Sequence, residues 1–329
     1  MVRRIVRYVL WAASALCLGF AAQVQAQTGA QAYPNRVIKV VVPYPAGGST
    51  DILARLVASK LNEAWGQPVV VENRPGASGI IGNDLVAKAP ADGYTVLMGI
   101  TALIQGQSLF AKLPYDPIKD LAPVTQVAMS ADLFVVQPSI PANSLKEFVE
   151  LAKANPKKYS YGSYGAGTSS HLHGEMLNAQ AGLDLTHVAY RGAAPQITDF
   201  LGGQLTAAFI DSGSIRQHLS SGKFKVLAVT GERRSKLVPA VPTFTELGYT
   251  AFEPYGWFGM FLPAATPAEI VNKLSAEAVR ILALPEVVSR IDDLGLQIGG
   301  KGAADFAAVV RRDTPLWAKV IKDAKVKLD

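Results

Sequence analysis

The stretch over residues 37–66 constrains the fold most, because it joins a buried strand to an amphipathic helix through a glycine turn. Residues 37–42 are almost all apolar, which predicts a strand buried on both faces, as in a parallel sheet. Apolar residues then recur at spacings of three and four until Gly66, the pattern of a helix with one buried face. The connecting turn is PYPAGGSTD, Pro43 to Asp51, and the whole predicts a strand–turn–helix unit of an α/β protein.

This turn has the chemistry of an anion site. Gly47 and Gly48 accept backbone angles that side chains disfavour, and they let a ligand approach main-chain N–H groups closely. Those N–H groups lie at the positive end of the helix dipole, where a carboxylate is stabilised. We therefore expect the turn to form one side of a small-molecule binding cleft.

The first 26 residues have the pattern of an export signal. Three arginines precede an apolar run over residues 8–22, and residues 24–26 offer small side chains at cleavage spacing. The sequence therefore predicts a cleaved signal peptide over residues 1–26 and a periplasmic mature protein. Because Cys17 is the only cysteine of the chain, a mature protein without this segment has no disulfide.

Composition indicates a globular protein without nucleic-acid affinity. The chain has 329 residues, 49% hydrophobic and 18% charged, which is long enough for two domains. Without the three arginines of the signal segment, 29 basic residues face 26 acidic ones. No basic stripe interleaved with aromatic residues is present, so binding to nucleic acid is not expected.

Strand and helix patterns alternate at the start of the mature chain and again in its middle, and polar glycine-bearing turns join them. This alternation predicts parallel doubly wound layers with crevices at the carboxyl ends of the strands. We expect lobe 1 to comprise residues 27–127 and 229–329, and lobe 2 residues 128–228. Two connections then cross between the lobes, which permits hinge closure over a ligand.

Polar residues cluster where the predicted strands end. Ser78 and Gly79 follow the second strand, Asp211 ends a strand of lobe 2, and residues 161–172 (YGSYGAGTSSHL) repeat the strand, glycine turn and helix. Hydroxyl and N–H donors of this kind can hold a carboxylate without a matched arginine. Arg191 is the exception, and it either pairs with a distal acidic group of the ligand or is solvated at a strand end.

Three residues have the types of a hydrolase triad: Ser163, His171 and Asp211. A nucleophile elbow requires G-x-S-x-G, and neither Ser78 nor Ser163 stands in that motif. The sequence therefore gives weak support to a secreted serine hydrolase, which stays the alternative from a different functional class.

Metal and nucleotide sites are poorly supported. His171, His173 and Glu175 are spaced by two residues, whereas zinc ligands on one helix face are four apart. We expect His171 to form hydrogen bonds near the helix start and His173 to lie on the surface. The glycines of residues 165–167 suit a phosphate, but no G-x-x-x-x-G-K-[ST] motif follows. No metal or other cofactor is expected.

The ordered motifs resemble those of the Bug family, the periplasmic substrate-binding receptors of tripartite tricarboxylate transporters. The matching blocks cover nearly the whole mature chain: PYPAGGSTD, ENRPGASGIIG, ADGY at 91–94, YGSYGAGTSSHL, HVAYRGAAPQITDFLGGQ, and VPT with ELG at 241–248. The resemblance implies an α/β periplasmic binding protein fold of the second type, with two lobes and a ligand between them.

Carried over position by position, the resemblance also implies a set of ligand-binding residues. These are Tyr44, Ala46, Gly47, Asp51, Ser78, Gly79, Ser163, Gly167, Thr168, His171, Tyr190 and Asp211. The expected ligand is a small organic acid, the expected partner is a tripartite membrane transporter, and the expected state is a monomer. The main hypothesis is a solute receptor without catalytic activity. Its rivals are the hydrolase using Ser163 and His171, and a ligand-sensing partner of a signalling protein.

Overall fold

The structure is a computed structural model that describes residues 33–252 and 255–328. The predicted signal peptide, residues 1–26, lies outside the described residues. Among the described residues, no helix combines the length and the apolar character needed to cross a membrane.

The described residues form strands and helices in alternation. The strands are β1 (Ile38–Val42), β2 (Val69–Asn73), β3 (Thr95–Ile100), β4 (Leu121–Ser130), β5 (Asp132–Val136), β6 (Ser160–Ser163), β7 (Thr186–Ala189), β8 (Ala207–Asp211), β9 (Lys225–Val229), β10 (Gly256–Pro263) and β11 (Gln297–Lys301). The helices are α1 (Ser49–Trp65), α2 (Ile80–Ala87), α3 (Ala102–Leu109), α4 (Leu145–Lys153), α5 (Ser169–Ala181), α6 (Ala193–Leu201), α7 (Ser212–Ile215), α8 (Ala268–Leu282), α9 (Pro285–Asp293) and α10 (Ala303–Asp323).

Two separate sheets define two lobes, which confirms the predicted α/β fold. The sheet of lobe 1 has the strand order β11-β4-β10-β3-β1-β2, and the sheet of lobe 2 has the order β7-β6-β8-β5-β9. In lobe 1, β1 pairs in parallel with β2 and β3, while β10 is antiparallel to β3 and β4. In lobe 2, β6 pairs in parallel with β7 and β8, while β5 is antiparallel to β8 and β9.

The chain passes from one sheet to the other twice. The first passage is at Ala131, which separates β4 from β5, and the second lies between β9 and β10. The segment after β9 still packs on lobe 2, because Phe244 and Phe252 stack on each other and Phe244 contacts Phe134 of β5. The second passage therefore lies close to Gly256, and both passages are short enough to act as hinges.

The predicted first unit is confirmed in detail. The residues of β1 are buried except Lys39, as expected for a central strand with helices on both faces of its sheet. Helix α1 buries the apolar face that its spacing predicts, and it ends at Gly66, whose φ of 64° is left-handed. This unit fixes the position of the turn that precedes α1.

Candidate functional site

A cavity lies between the two lobes, at the carboxyl ends of their parallel strands. Its volume is about 40 Å³, which is room for only a few water-sized groups in this arrangement of the lobes. Both lobes and both hinge passages line it: Tyr44, Pro45, Gly48, Ser49, Thr50, Ile100, Thr101, Ser130, Asp132, Tyr164, Ser169, Gly192, Ala193, Asp211, Gly256, Trp257 and Phe258.

Four helices start at this cavity. The first residues or caps of α1, α3, α5 and α6 are all in its lining, represented by Ser49, Thr101, Ser169 and Ala193. None of the four helices has a side-chain hydrogen bond at its N-cap. The backbone N–H groups of a first turn have no partner within their own helix, and each helix dipole adds about half a positive charge. The convergence of four such ends makes the cavity a site for an anion.

The electrostatic character of the cavity comes from the helix N-termini of the backbone and from two carboxylates, and one of them, Asp211, is hydrogen-bonded to the first residue of α1. Among the residues that the structure describes, no Lys, Arg or His lines it. Asp132 and Asp211 do line it, and they are directly opposite each other in the antiparallel pairing of β5 with β8. Both are almost completely buried, with 3% and 6% of their surface exposed. The cavity is therefore bipolar, with helix N-termini and acidic side chains in contact with the same space.

Asp211 joins the two lobes. Its Oδ1 accepts hydrogen bonds from Ser49 Oγ of α1 and, at 3.0 Å, from the backbone N–H of Ser214. Burial raises the pKa of Asp211, hydrogen bonds from Ser49 and Ser214 oppose the rise, and the charge of Asp132 adds to it. Among the hydrogen bonds of the described residues, none reaches Oδ2 of Asp211.

Asp132 is held from within lobe 2. Its Oδ2 lies 2.9 Å from Nδ1 of His173, and the hydroxyl of Tyr164 lies 3.4 Å from both carboxylate oxygens. The surface position expected for His173 is wrong, since only 1% of this residue is exposed. The ring of His173 stacks on Phe252 at 5.6 Å, so the imidazole is packed between the site and the aromatic core.

Direct hydrogen bonds hold the lobes together across the cavity. Ser49 Oγ donates to Asp211, and the backbone N–H of Ser49 donates to Ser214 Oγ at 3.0 Å. On the other side of the cavity, Gln105 Nε2 donates to Ser169 Oγ at 3.0 Å. With these contacts made and only a small cavity left between them, the lobes are closed.

The first predicted loop reaches the cavity only in part. Tyr44 lines it, and its hydroxyl donates to the carbonyl of Ser78 at 3.2 Å. Ala46 and Gly47 are exposed beside the lining residues. Asp51 accepts a hydrogen bond from Gly47 N–H at 3.1 Å. Burial tends to raise the pKa of Asp51, but hydrogen bonds from Arg55, Asn73 and the Gly47 N–H lower it overall. Asp51 therefore fixes the loop and does not line the cavity.

The second predicted loop lies against the glycine loop of lobe 2. Ser78 has a φ of 53°, and a Cβ at Gly165 would stand 3.4 Å from Ser78 Oγ. Gly79 is buried beneath Tyr44, whose hydroxyl would be 2.8 Å from a Cβ at this position. Neither Ser78 nor Gly79 lines the cavity, and both shape the loop on which Tyr44 rests.

A second cluster gathers several other predicted residues behind the cavity wall. Ser163 Oγ lies 2.7 Å from Nε2 of His187, a residue that the sequence did not indicate, and donates to the carbonyl of Gly165 at 3.2 Å. The ring of His187 stacks on His171 at 3.8 Å. Nδ1 of His171 accepts the N–H of Gly167 at 3.0 Å, as expected for a hydrogen-bonding residue near a helix start.

The imidazoles of this cluster are held neutral. Burial lowers the pKa of His171 to about 4. Burial and the charge of His171 together lower the pKa of His187 to about 3. Ser163 has no exposed surface, and none of these three residues lines the cavity. The cluster is therefore a packed support of the glycine loop.

The remaining predicted residues also lie outside the lining. Thr168 Oγ1 donates to the carbonyl of Gly165 at 2.7 Å and closes the glycine loop. The hydroxyl of Tyr190 donates to Asp199 at 2.9 Å on the outer part of lobe 2. Arg191 is exposed and does not reach the cavity. Of the twelve predicted residues, the structure thus places Tyr44 and Asp211 in the lining.

Several lining residues were not singled out as ligand contacts by the sequence. Ser49 and Ser169 are the first residues of their helices, so the glycine turns that precede them were a usable signal. Asp132 had no local signal, because its position follows from the pairing of β5 with β8. Trp257 stood in an apolar run and was indistinguishable from a core residue. Within the described part of the chain, no group of His, Cys, Asp and Glu has the arrangement of a metal site.

The chain is similar to known proteins over nearly its whole length. The sequence model of the "Tripartite tricarboxylate transporter family receptor" matches residues 53–326. Protein BugT of Bordetella pertussis is 34% identical over 312 residues, which is 94% of each chain. The structure of R. palustris Rpa4515 with adipate has a TM-score of 0.86 and 33% identity, covering 90% of this chain and 99% of the other. The structure of MatC (Rpa3494) from Rhodopseudomonas palustris with bound malate has a TM-score of 0.83 and 31% identity, covering 88% and 100%.

Proposed function

The chain belongs to the receptor family of the tripartite tricarboxylate transporters, and we propose that it is a solute receptor that closes its two lobes on a small organic acid. The observation that carries this proposal is the convergence of four helix N-termini, whose N-cap side chains make no capping hydrogen bond, on one interlobe cavity. A carboxylate bound there takes its hydrogen bonds from backbone N–H groups and its electrostatic stabilisation from four helix dipoles.

The relatives support the ligand class. Rpa4515 was solved with adipate and MatC with malate, and both cover nearly the whole of this chain with the same fold. Adipate and malate are carboxylates. Since no cationic side chain of the described part of the chain lines the cavity, we assign recognition of the carboxylate to the backbone.

The cellular setting follows from the family. Its members are periplasmic binding proteins, and we propose the periplasm for this chain, reached through a cleaved signal peptide over residues 1–26. We propose that it acts as a monomer, without a cofactor, and delivers its ligand to a tripartite membrane transporter. We propose lobe boundaries near residues 128 and 229. The first lies close to the passage at Ala131, whereas the second precedes the passage near Gly256, because the segment after β9 still packs on lobe 2.

A carboxylate at saturating concentration is expected to stabilise the purified mature protein. Binding to the folded state alone adds about 2.7 kcal/mol at 100 times the dissociation constant. A thermal-shift screen of mono- and dicarboxylic acids, with the corresponding primary amides as uncharged controls, measures this. If no acid shifts the melting temperature, the receptor function is contradicted.

Catalysis at Ser163 is not expected, although Ser163 and His187 form the kind of hydrogen bond that activates a nucleophile. Ser163 is fully buried behind the cavity wall and donates to a backbone carbonyl. We expect p-nitrophenyl acetate hydrolysis by the wild type and by Ser163→Ala to be equal, and no faster than by the heat-unfolded protein. Turnover that Ser163→Ala abolishes would favour a hydrolase instead.

A further inference from the structure

The two carboxylates of the cavity limit what the far end of the ligand can be. Asp132 and Asp211 are cross-strand partners, they are almost completely buried, and both line the same space as the helix N-termini. Within residues 33–252 and 255–328, no Lys or Arg lines the cavity to neutralise them. A bound molecule therefore meets two buried acceptor groups as well as the backbone donors.

Both carboxylates have acceptor capacity to spare. An ionised carboxylate accepts about four hydrogen bonds. The described residues occupy only Oδ1 of Asp211, with Ser49 and Ser214, and leave its Oδ2 without a donor. Oδ2 of Asp132 is hydrogen-bonded to Nδ1 of His173, while the hydrogen bonds from the Tyr164 hydroxyl to either oxygen of Asp132 are long, at 3.4 Å. Among the described residues, Oδ2 of Asp211 is not one of the enclosed side-chain atoms that lack a partner, so it is open to the cavity, and a ligand can supply a charge-assisted hydrogen bond there.

A second carboxylate of the ligand beside Asp211 and Asp132 lowers the affinity. It brings a charge of the same sign beside two buried acids and has no hydrogen to donate. The proteins solved with adipate and malate therefore do not by themselves define the ligand of this chain. We call Asp132 and Asp211 the acidic wall of the cavity. An ammonium, hydroxyl or amide N–H is the group that this acidic wall can bind.

We propose that the ligand is a small carboxylate whose opposite end carries a hydrogen-bond donor, in first place an ammonium group, which binds Asp211 and Asp132. The proposal rests on the receptor function above and specifies its substrate class. The carboxylate of the ligand binds the helix N-termini, and the donor end binds the acidic wall when the lobes close. Symmetrical dicarboxylates are poor ligands.

Calorimetric titration of the full mature chain with a matched series tests the proposal. Succinate, succinamate, 4-hydroxybutanoate and 4-aminobutanoate share one carboxylate and a similar length, and the glutarate series adds one methylene. We expect the acids with a donor end to bind at least tenfold more tightly than the diacids. Tighter binding of the diacids overturns the proposal while leaving the receptor function standing, and absence of binding by every acid overturns both.

Substitution of the wall provides the second arm. Asp211→Asn keeps an oxygen to cap α7 and adds an N–H donor, so we expect at least tenfold weaker binding of the amino acid of the series and stronger binding of the diacid. Asp132→Asn is the second variant, and Asp184→Asn, on the exposed surface of lobe 2, is the control for a lost charge. Unchanged selectivity in both folded wall variants overturns the proposal.

Discussion

The free energy of unfolding is expected to fall steeply below pH 6.5, because two histidines of lobe 2, the buried His171 and the partly buried His187, exclude protons in the folded state. Burial holds the pKa of His171 at about 4, and burial together with the charge of His171 holds the pKa of His187 at about 3. An unperturbed histidine titrates near 6.5, so below that pH the unfolded chain binds protons that the folded chain does not. The stabilisation is complete above pH 6.5 and is lost as the pH falls through the folded values.

The expected effect is large for a single pair of residues. A lowering of the pKa from 6.5 to about 4 corresponds to roughly 3 kcal/mol for His171, and His187 contributes with the same sign. Glu175 is the nearby acid, with its Oε1 4.0 Å from Nε2 of His171, and it accepts the hydroxyl of Tyr161 at 2.6 Å. Burial is the cause of the lowered pKa of His171.

Urea unfolding at several pH values measures this dependence. In the double variant His171→Gln/His187→Gln, the stability between pH 6.5 and 4 is expected to change much less than in the wild type, since glutamine does not titrate. His218→Gln, in the turn after α7, is the matched control and is expected to keep the wild-type dependence. An identical pH dependence in the double variant would contradict the assignment.

Closure of the lobes is expected to fail when a side chain is added at Gly213. This residue lies on α7 of lobe 2, and a Cβ there would stand 2.4 Å from Ser49 Oγ and 3.2 Å from Leu296, both on lobe 1. The space is therefore free only when the lobes are apart. Displacing Ser49 also breaks its hydrogen bond to Asp211. Overpacking costs about 1–3 kcal/mol, so Gly213→Val is expected to weaken ligand binding by up to roughly 100-fold.

The same variant separates closure from folding. Because the steric conflict involves the opposite lobe, the ligand-free Gly213→Val protein is expected to unfold at nearly the wild-type temperature. Small-angle X-ray scattering with ligand is expected to show compaction of the wild type and no compaction of the variant. Ser220→Val, on the exposed turn after α7, is the control for the added side chain. Wild-type affinity in Gly213→Val would mean that the ligand is held without the closed contacts.

Local sequence patterns were sufficient for the framework of the site. The β1–α1 unit follows from apolar spacing and from Gly66, whose left-handed conformation ends the helix as predicted. The glycine turns before α1 and α5 correctly indicated helix N-termini at a cavity between two lobes. Both inferences depend on neighbours in the chain, and such neighbours are visible in a sequence.

The side chains that face the cavity were harder to predict. Ser163 and His171 stand in a polar turn with the composition of a binding loop, yet they pack inward with His187 as a support. The sequence could not distinguish the two roles, because a turn of this kind has one face toward the ligand and one toward its own lobe. These residues stay predicted ligand contacts that the geometry places behind the wall.

The sequence by itself determined the α/β class and the succession of strand, glycine turn and helix, since both depend on periodicity and on backbone geometry within a few residues. The family was indicated by the resemblance of its ordered motifs. Tertiary structure alone decided the acidic wall. Asp132 meets Asp211 because β5 runs antiparallel to β8, and His173 is buried because Asp132 and Phe252 enclose it. These contacts join residues far apart in the chain, and no local pattern encodes the register that brings them together.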